Sequence, residues 1–260
     1  MNTTTTTGTR ETPRRSALDR AVAMRLAIEE YRRVADAVES LQAPDWDRPT
    51  DCPDWTVREL VAHVAGMMAM AASPIETLRQ TRKATREASA SGIQHIDALT
   101  ALQVAERADA GPEQLRREIR HQGPRAARGR RMTPALVRSR RMNPAQHVGG
   151  REEWWTIGYL LDTVLTRDPW MHRIDLQRAT GRGVPMTAEH DGAIVADVVE
   201  EWAVRHGRPF RLVLTGPAGG TWTRTGAAPA PELELSAVEF CRTVSGRRAG
   251  EGLLATEVPF

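Results

Sequence analysis

The sequence predicts a mostly helical domain followed by a small α+β unit. Three observations carry that prediction. Up to about residue 182, apolar residues recur at steps of three, four or five, as on amphipathic helices. Two capping signatures, Thr56 with Glu59 and Ser236 with Glu239, mark helix starts. After Gly183, short β-type runs (PFRLVLT, TWTRT, ELEL) alternate with helical ones. The expected boundaries are a disordered leader over 1–16, a helical domain over 17–182 and a C-terminal α+β domain over 183–260.

Residues 17–41 carry Leu18, Val22, Leu26, Tyr31, Val34, Val38 and Leu41 at helical spacing. The next segment, APDWDRPTDCPDW, holds three prolines and is a loop. From Thr56 a helix runs through Leu60, His63 and Met68 towards Ala72, and a second piece is expected over 75–88. Helical pieces also fit 96–108 and 113–120. A long helix is expected over 152–180, with a kink imposed by Pro169. A further helix over 187–206 stops at Gly207. The last helix follows Ser236 and ends at Gly246.

Composition removes several classes. Lys and Arg number 36 against 33 Asp and Glu, a formal +3, too little to demand nucleic acid. Lys83 is the single lysine, a bias that reads as a GC-rich, actinobacterial kind of coding genome. Ten arginines lie between Arg116 and Arg141 with one acid, Glu118. They do not interleave with aromatics, so a solvated face or an anion-binding wall is expected rather than a nucleic-acid patch. Cys52 and Cys241 make no disulfide framework and are expected to be structural thiols in a reducing cytoplasm. No run of 18 apolar residues offers a membrane span, and the first residues lack the apolar core of a secretory signal.

The chemistry concentrates in three residues. Asp168 and His172 stand four apart on a helix, which places them on one face about 5–6 Å apart at Cβ, suitable for two ligands of one metal. Asp175 continues that face. His63 lies in an apolar helical stretch, LVAHVAGMM, and needs a polar partner there. Spacing alone leaves other readings open. His63 fits a structural hydrogen-bonding histidine, and Asp168 with His172 fits an ordinary i,i+4 ion pair.

The stretches WDRPTDCPDWTVRELVAHVAG (46–66) and TRDPWMHRIDL (166–176) resemble the signatures of the mycothiol-dependent maleylpyruvate isomerase family. The final 29 residues, from ELELSAVEF onward, resemble that family's small C-terminal domain. The resemblance implies a DinB/YfiT-like four-helix bundle over 17–182, then a sterol-carrier-protein-like α+β domain over 183–260. It implies a divalent metal, zinc in the family, held by His63, Asp168 and His172. The family's first-described isomerase has Glu at the carboxylate position. Asp168 is one methylene shorter, so a metal must sit closer to the backbone here. Asp175 reads as a carboxylate fixing a ligand histidine or as a surface acid.

The resemblance further implies mycothiol as thiol cosubstrate. Its thiolate would add to a small unsaturated or otherwise electrophilic substrate, giving cis–trans isomerisation or S-transfer. Arg242 and Arg247, in CRTVSGR, are candidates to bind a substrate carboxylate, because the guanidinium fork matches it. Two other readings stay open. One is a metal-dependent hydrolase or oxygen-using metalloenzyme without external thiol; the other is a non-catalytic metal-binding interaction module.

Overall fold

The computed structural model describes residues 12–183, 185–227 and 229–260. The first helices are α1 (Arg20–Glu39), α2 (Val57–Ala72), α3 (Pro74–Ser91), α4 (His95–Ala105), α5 (Pro112–Met132) and the single turn α6 (Ala135–Arg138). A hairpin follows, β1 (Gln146–Val148) with β2 (Arg151–Glu153). Then α7 (Ile157–Tyr159), a π-helical stretch (Leu160–Val164) and α8 (Leu165–Thr180) run without a break. The C-terminal part holds α9 (Ala193–His206), β3 (Phe210–Thr215), β4 (Gly220–Arg224), β5 (Glu232–Ser236) and α10 (Ala237–Val244).

Helices α1, α2, α5 and α8 form a four-helix bundle, with α3 and α4 packed on the outside of α2. Its core joins Tyr31, Val34 and Val38 of α1, Leu60, Val64 and Met68 of α2, Leu115 and Ile119 of α5, and Leu165 and Leu176 of α8. A second core joins Trp170, Met171 and Ile174 of α8 to Val198 and Trp202 of α9, Leu212 and Leu214 of β3, and Phe240 of α10. Thus α8 is buried on every side, one face in each core. Every residue of α8 from Leu165 to Leu176 except Asp168 is buried. The sheet order is β4-β3-β5; β3 pairs antiparallel with β4 and parallel with β5, with Leu212 opposite both Trp222 and Leu233.

Local chemistry accounts for most boundaries. Thr56 and Glu59 close a reciprocal capping box at α2. Pro74 does not interrupt a helix but opens α3 behind the Ser73 cap, because the first turn needs no proline N–H. Gly207 ends α9 in the left-handed conformation, φ 66°.

Three expectations change. Helix α5 continues to Met132, well past residue 120, because α2 packs along it. The long helix starts after Thr156, not at Glu152, since Arg151–Glu153 pairs with β1 and Thr156 caps α7. Only residues 1–11 of the expected leader lie outside the described residues. Beyond them Arg14 is anchored: its amide donates to Trp154 O at 2.7 Å, and its guanidinium meets Glu153.

Helices α2 and α5 pack closely along their length. A Cβ on Gly129 would stand 2.3 Å from the carbonyl oxygen of Ala71. Gly129→Ala is therefore expected to destabilise by about 1–3 kcal/mol through overpacking, outweighing the gain of about 1 kcal/mol in helix propensity. A lowered denaturant midpoint with unchanged slope checks this.

Candidate metal centre

The bundle brings His63, two turns into α2, opposite the first two turns of α8. His63 Nε2 lies 3.6 Å and His172 Nε2 3.4 Å from the same oxygen, Asp168 Oδ1. These separations are long for hydrogen bonds. They match the edge of a tetrahedron with ligand bonds of about 2.0–2.1 Å, which is roughly 3.3–3.4 Å. The imidazole rings meet edge to face at 5.0 Å. Among the described residues, buried Asp168 Oδ2 and His63 Nδ1 have no partner. Two imidazole nitrogens, a carboxylate oxygen and an orphaned carboxylate lone pair fit a divalent ion with positions left over for an incoming group. The Trp55 ring walls the site, 5.1 Å from His63 and 6.3 Å from His172.

The electrostatics agree. Burial alone would raise the Asp168 pKa, but the neighbouring His172 and His63 hold it well below the usual carboxylate range. Burial would lower His172, yet Asp168 and then Asp175 raise it well above the ordinary histidine value. Burial would likewise raise the Asp175 pKa, but His172 and Arg247 hold it below the usual carboxylate value.

Asp175 lies behind His172, and the alternative of a surface acid falls away, since Asp175 is fully buried. Its Oδ2 is 3.0 Å from His172 Nδ1. With that carboxylate accepting, Nδ1–H donates and the Nε2 lone pair is aimed at the triad. The Cys52 thiol donates to the same oxygen at 3.5 Å. Sequence reasoning missed this place for Cys52, whose one signal was its position in the loop that leads into α2. Cys241 fits the structural reading: it is fully buried, and burial pushes its thiol pKa up.

Pro169 directly follows Asp168. Lacking an N–H, it leaves the Leu165 carbonyl without a helical partner. Arg130 Nη1 fills that role at 2.8 Å and the Tyr31 hydroxyl at 3.3 Å. The predicted distortion falls one turn back, at Leu165, where ψ is 6°. Arg130 thereby leaves the expected solvated face of the arginine run. So do Arg138, which pairs with Asp162, and Arg116, which donates to the Leu41 carbonyl.

Arg242 and Arg247 both have internal carboxylate partners. Arg242 binds Asp51 at 2.9 Å and Glu239 at 2.9 Å. Arg247 binds Asp175 through two nitrogens. A cavity of about 650 Å³ opens beside the Cys52 loop, lined by Arg48, Thr50, Asp51 and Arg178; no triad residue lines it. Cys52 and Asp175 form a further set around His172 itself, and away from the triad Glu30, His190 and Asp191 are also close enough for one ion. In the latter set Arg173 and Arg33 already occupy the carboxylates, so it is an ion-pair cluster.

The mycothiol maleylpyruvate isomerase N-terminal domain family matches residues 27–177, more than half of the chain. The chain belongs to this family. Two solved structures resemble it over nearly the whole length. One is a crystal structure of the mycothiol-dependent maleylpyruvate isomerase, 19% identical, with a TM-score of 0.55, covering 89% of this chain and 91% of that one. The other is a His-to-Ala mutant of the mycothiol-dependent maleylpyruvate isomerase, 18% identical with the same TM-score and coverage. At that identity the likeness shows the shared fold, a DinB-like bundle with a small C-terminal sheet. No curated protein matches the chain. Among the described residues, no helix of this family member is long and apolar enough to cross a membrane.

Proposed function

We propose that this family member is a metal-dependent, mycothiol-dependent enzyme acting on a small unsaturated or activated electrophile, as an isomerase or S-transferase. The observation that carries the reading is the convergence of His63 Nε2 and His172 Nε2 on Asp168 Oδ1 at tetrahedral-edge distances, inside this family's bundle. A divalent ion bound there, zinc by family resemblance, would lower the pKa of an entering thiol and so supply a nucleophile at neutral pH.

The chain's own residues do the rest. Asp175 holds the His172 ring and its tautomer. Trp55 shields one side of the triad from water. Neither cysteine is needed as nucleophile, since Cys241 is sealed in the second core and Cys52 is engaged by Asp175. Of the two arginines, Arg242 suits a substrate carboxylate better. Its partner Asp51 is 29% exposed and lines the cavity, so exchange for a substrate carboxylate is cheap. Asp175, the partner of Arg247, is fully buried and also holds His172.

Thiol dependence tests the reading. Metal-loaded protein should turn over an activated olefinic acid only with mycothiol present; turnover without any thiol sinks it and favours hydrolysis or oxygen chemistry.

Metal uptake should also depend on pH. Without metal, the raised pKa of His172 means its imidazolium contributes stability fully below about pH 6.5, lost as pH rises through the raised value. Metal uptake must expel that proton. Affinity should therefore fall on acidification from a pH already above 6.5, with proton release visible by calorimetry in buffers of different ionisation enthalpy.

A further inference from the structure

We infer that Arg247 is a positioning residue through which the C-terminal part helps to hold the metal. The inference rests on the metal reading above. Arg247 lies just beyond α10, after Gly246, whose φ of 80° turns the chain back towards α8. Its amide donates to Arg242 O at 3.0 Å, which ties the turn to α10. The guanidinium then meets the Asp175 carboxylate edge on: Nε reaches Oδ1 at 3.0 Å and Nη2 reaches Oδ2 at 2.8 Å. Such a two-point fork fixes the carboxylate plane as well as its position.

That plane matters because Asp175 Oδ2 is the atom facing His172 Nδ1 at 3.0 Å. Asp175 is buried, so its charge needs compensation, and Arg247 bonds it with a permanently charged guanidinium. Removing the guanidinium leaves a buried carboxylate with only His172 and the weak Cys52 thiol as donors. It is then free to rotate, and the His172 ring is less firmly held. The chain of contacts Arg247, Asp175, His172 thus runs from the C-terminal part, through α8, to the triad. Linkage makes the effect reciprocal: metal binding at the bundle should tighten the docking of the α10 turn.

The test uses the full chain and zinc affinity by chelator competition, with cobalt absorption reporting ligand geometry. Wild type, Arg247→Met, Arg247→Lys and Asp175→Asn are compared, with circular dichroism and melting to confirm folding. Arg247→Met should weaken metal binding by about 10–100-fold, the usual cost of losing a group that orients a ligand histidine. Lysine restores the charge but not the fork, so Arg247→Lys should recover part of the loss. Adding Arg247→Met to Asp175→Asn should weaken binding little further, because both act through one contact. If Arg247→Met does not fold, a several-fold loss in Arg247→Lys carries the same meaning. Wild-type affinity in both Arg247 variants, or losses that simply multiply, overturns the clamp while the metal reading stands. A wild-type chain that takes up no metal overturns both.

Discussion

His63→Ala is expected to strip the chain of its metal and its activity while leaving the fold intact. His63 supplies one of three side chains from two helices, and it alone comes from α2. Without it, Asp168 and His172 remain as an i,i+4 pair on α8, a weak two-point site. The loss in affinity should exceed the roughly 10–100-fold typical of an orienting group, and turnover should fall with metal content. Stability should change less. The side chain is buried, and its Nδ1 has no partner among the described residues, so truncation removes a polar atom they leave unsatisfied, at the expense of a small cavity. Metal analysis by mass spectrometry, run beside a thermal melt, separates the two effects. A variant that keeps full metal occupancy refutes the assignment of His63. A non-catalytic role predicts a different result: metal is lost, but no thiol-dependent turnover exists in the parent to lose.

Arg173→Met should produce the largest loss of stability. Arg173 is fully buried in α8, where Nε and Nη2 grip Glu30 at 2.8 and 3.0 Å and Nη2 meets Asp191 at 2.6 Å. Both acids are themselves fully buried. Methionine fills the volume but leaves Glu30 with His190 alone, while Asp191 retains Arg33, Trp170 and the Thr187 amide. Breaking a buried pair from one side costs about 3–5 kcal/mol, since an uncompensated charge remains. For a chain of this size that is on the order of 10 °C in Tm. Replacing Glu30 by Leu in the same chain should return part of the loss, because the orphaned carboxylate goes too. If Arg173→Met unfolds within a degree of wild type, the cluster does not join α1, α8 and the turn before α9.

Local signals in the sequence were enough wherever the deciding partner lies within a turn. The Thr56–Glu59 box, the Ser236 cap and the Gly207 stop each use atoms three or four residues apart, and each stands where expected. The alternation in PFRLVLT and ELEL became β3 and β5. The spacing of Asp168 and His172 was equally legible, because helical geometry fixes it. Less was legible where long-range packing overrides a local rule. The helical pattern from Glu113 reads only to residue 120, yet contact with α2 carries α5 past Pro124 to Met132. The hairpin at 146–153 has three-residue strands, too short for any periodicity to register.

The opening triad shows the same division. The sequence by itself determined that Asp168 and His172 share a helix face, and that His63 sits in a helix too apolar to leave it unpartnered. Its motifs also determined the family. Only the tertiary structure decided that the three meet on one oxygen, because the separation of α2 from α8 depends on core side chains scattered over the bundle. It alone gave Cys52 and Arg247 their places beside Asp175, 123 and 72 residues away in the chain. No periodicity links such positions; the folded backbone brings them together, and the cost of burying the Asp175 charge keeps Arg247 beside it.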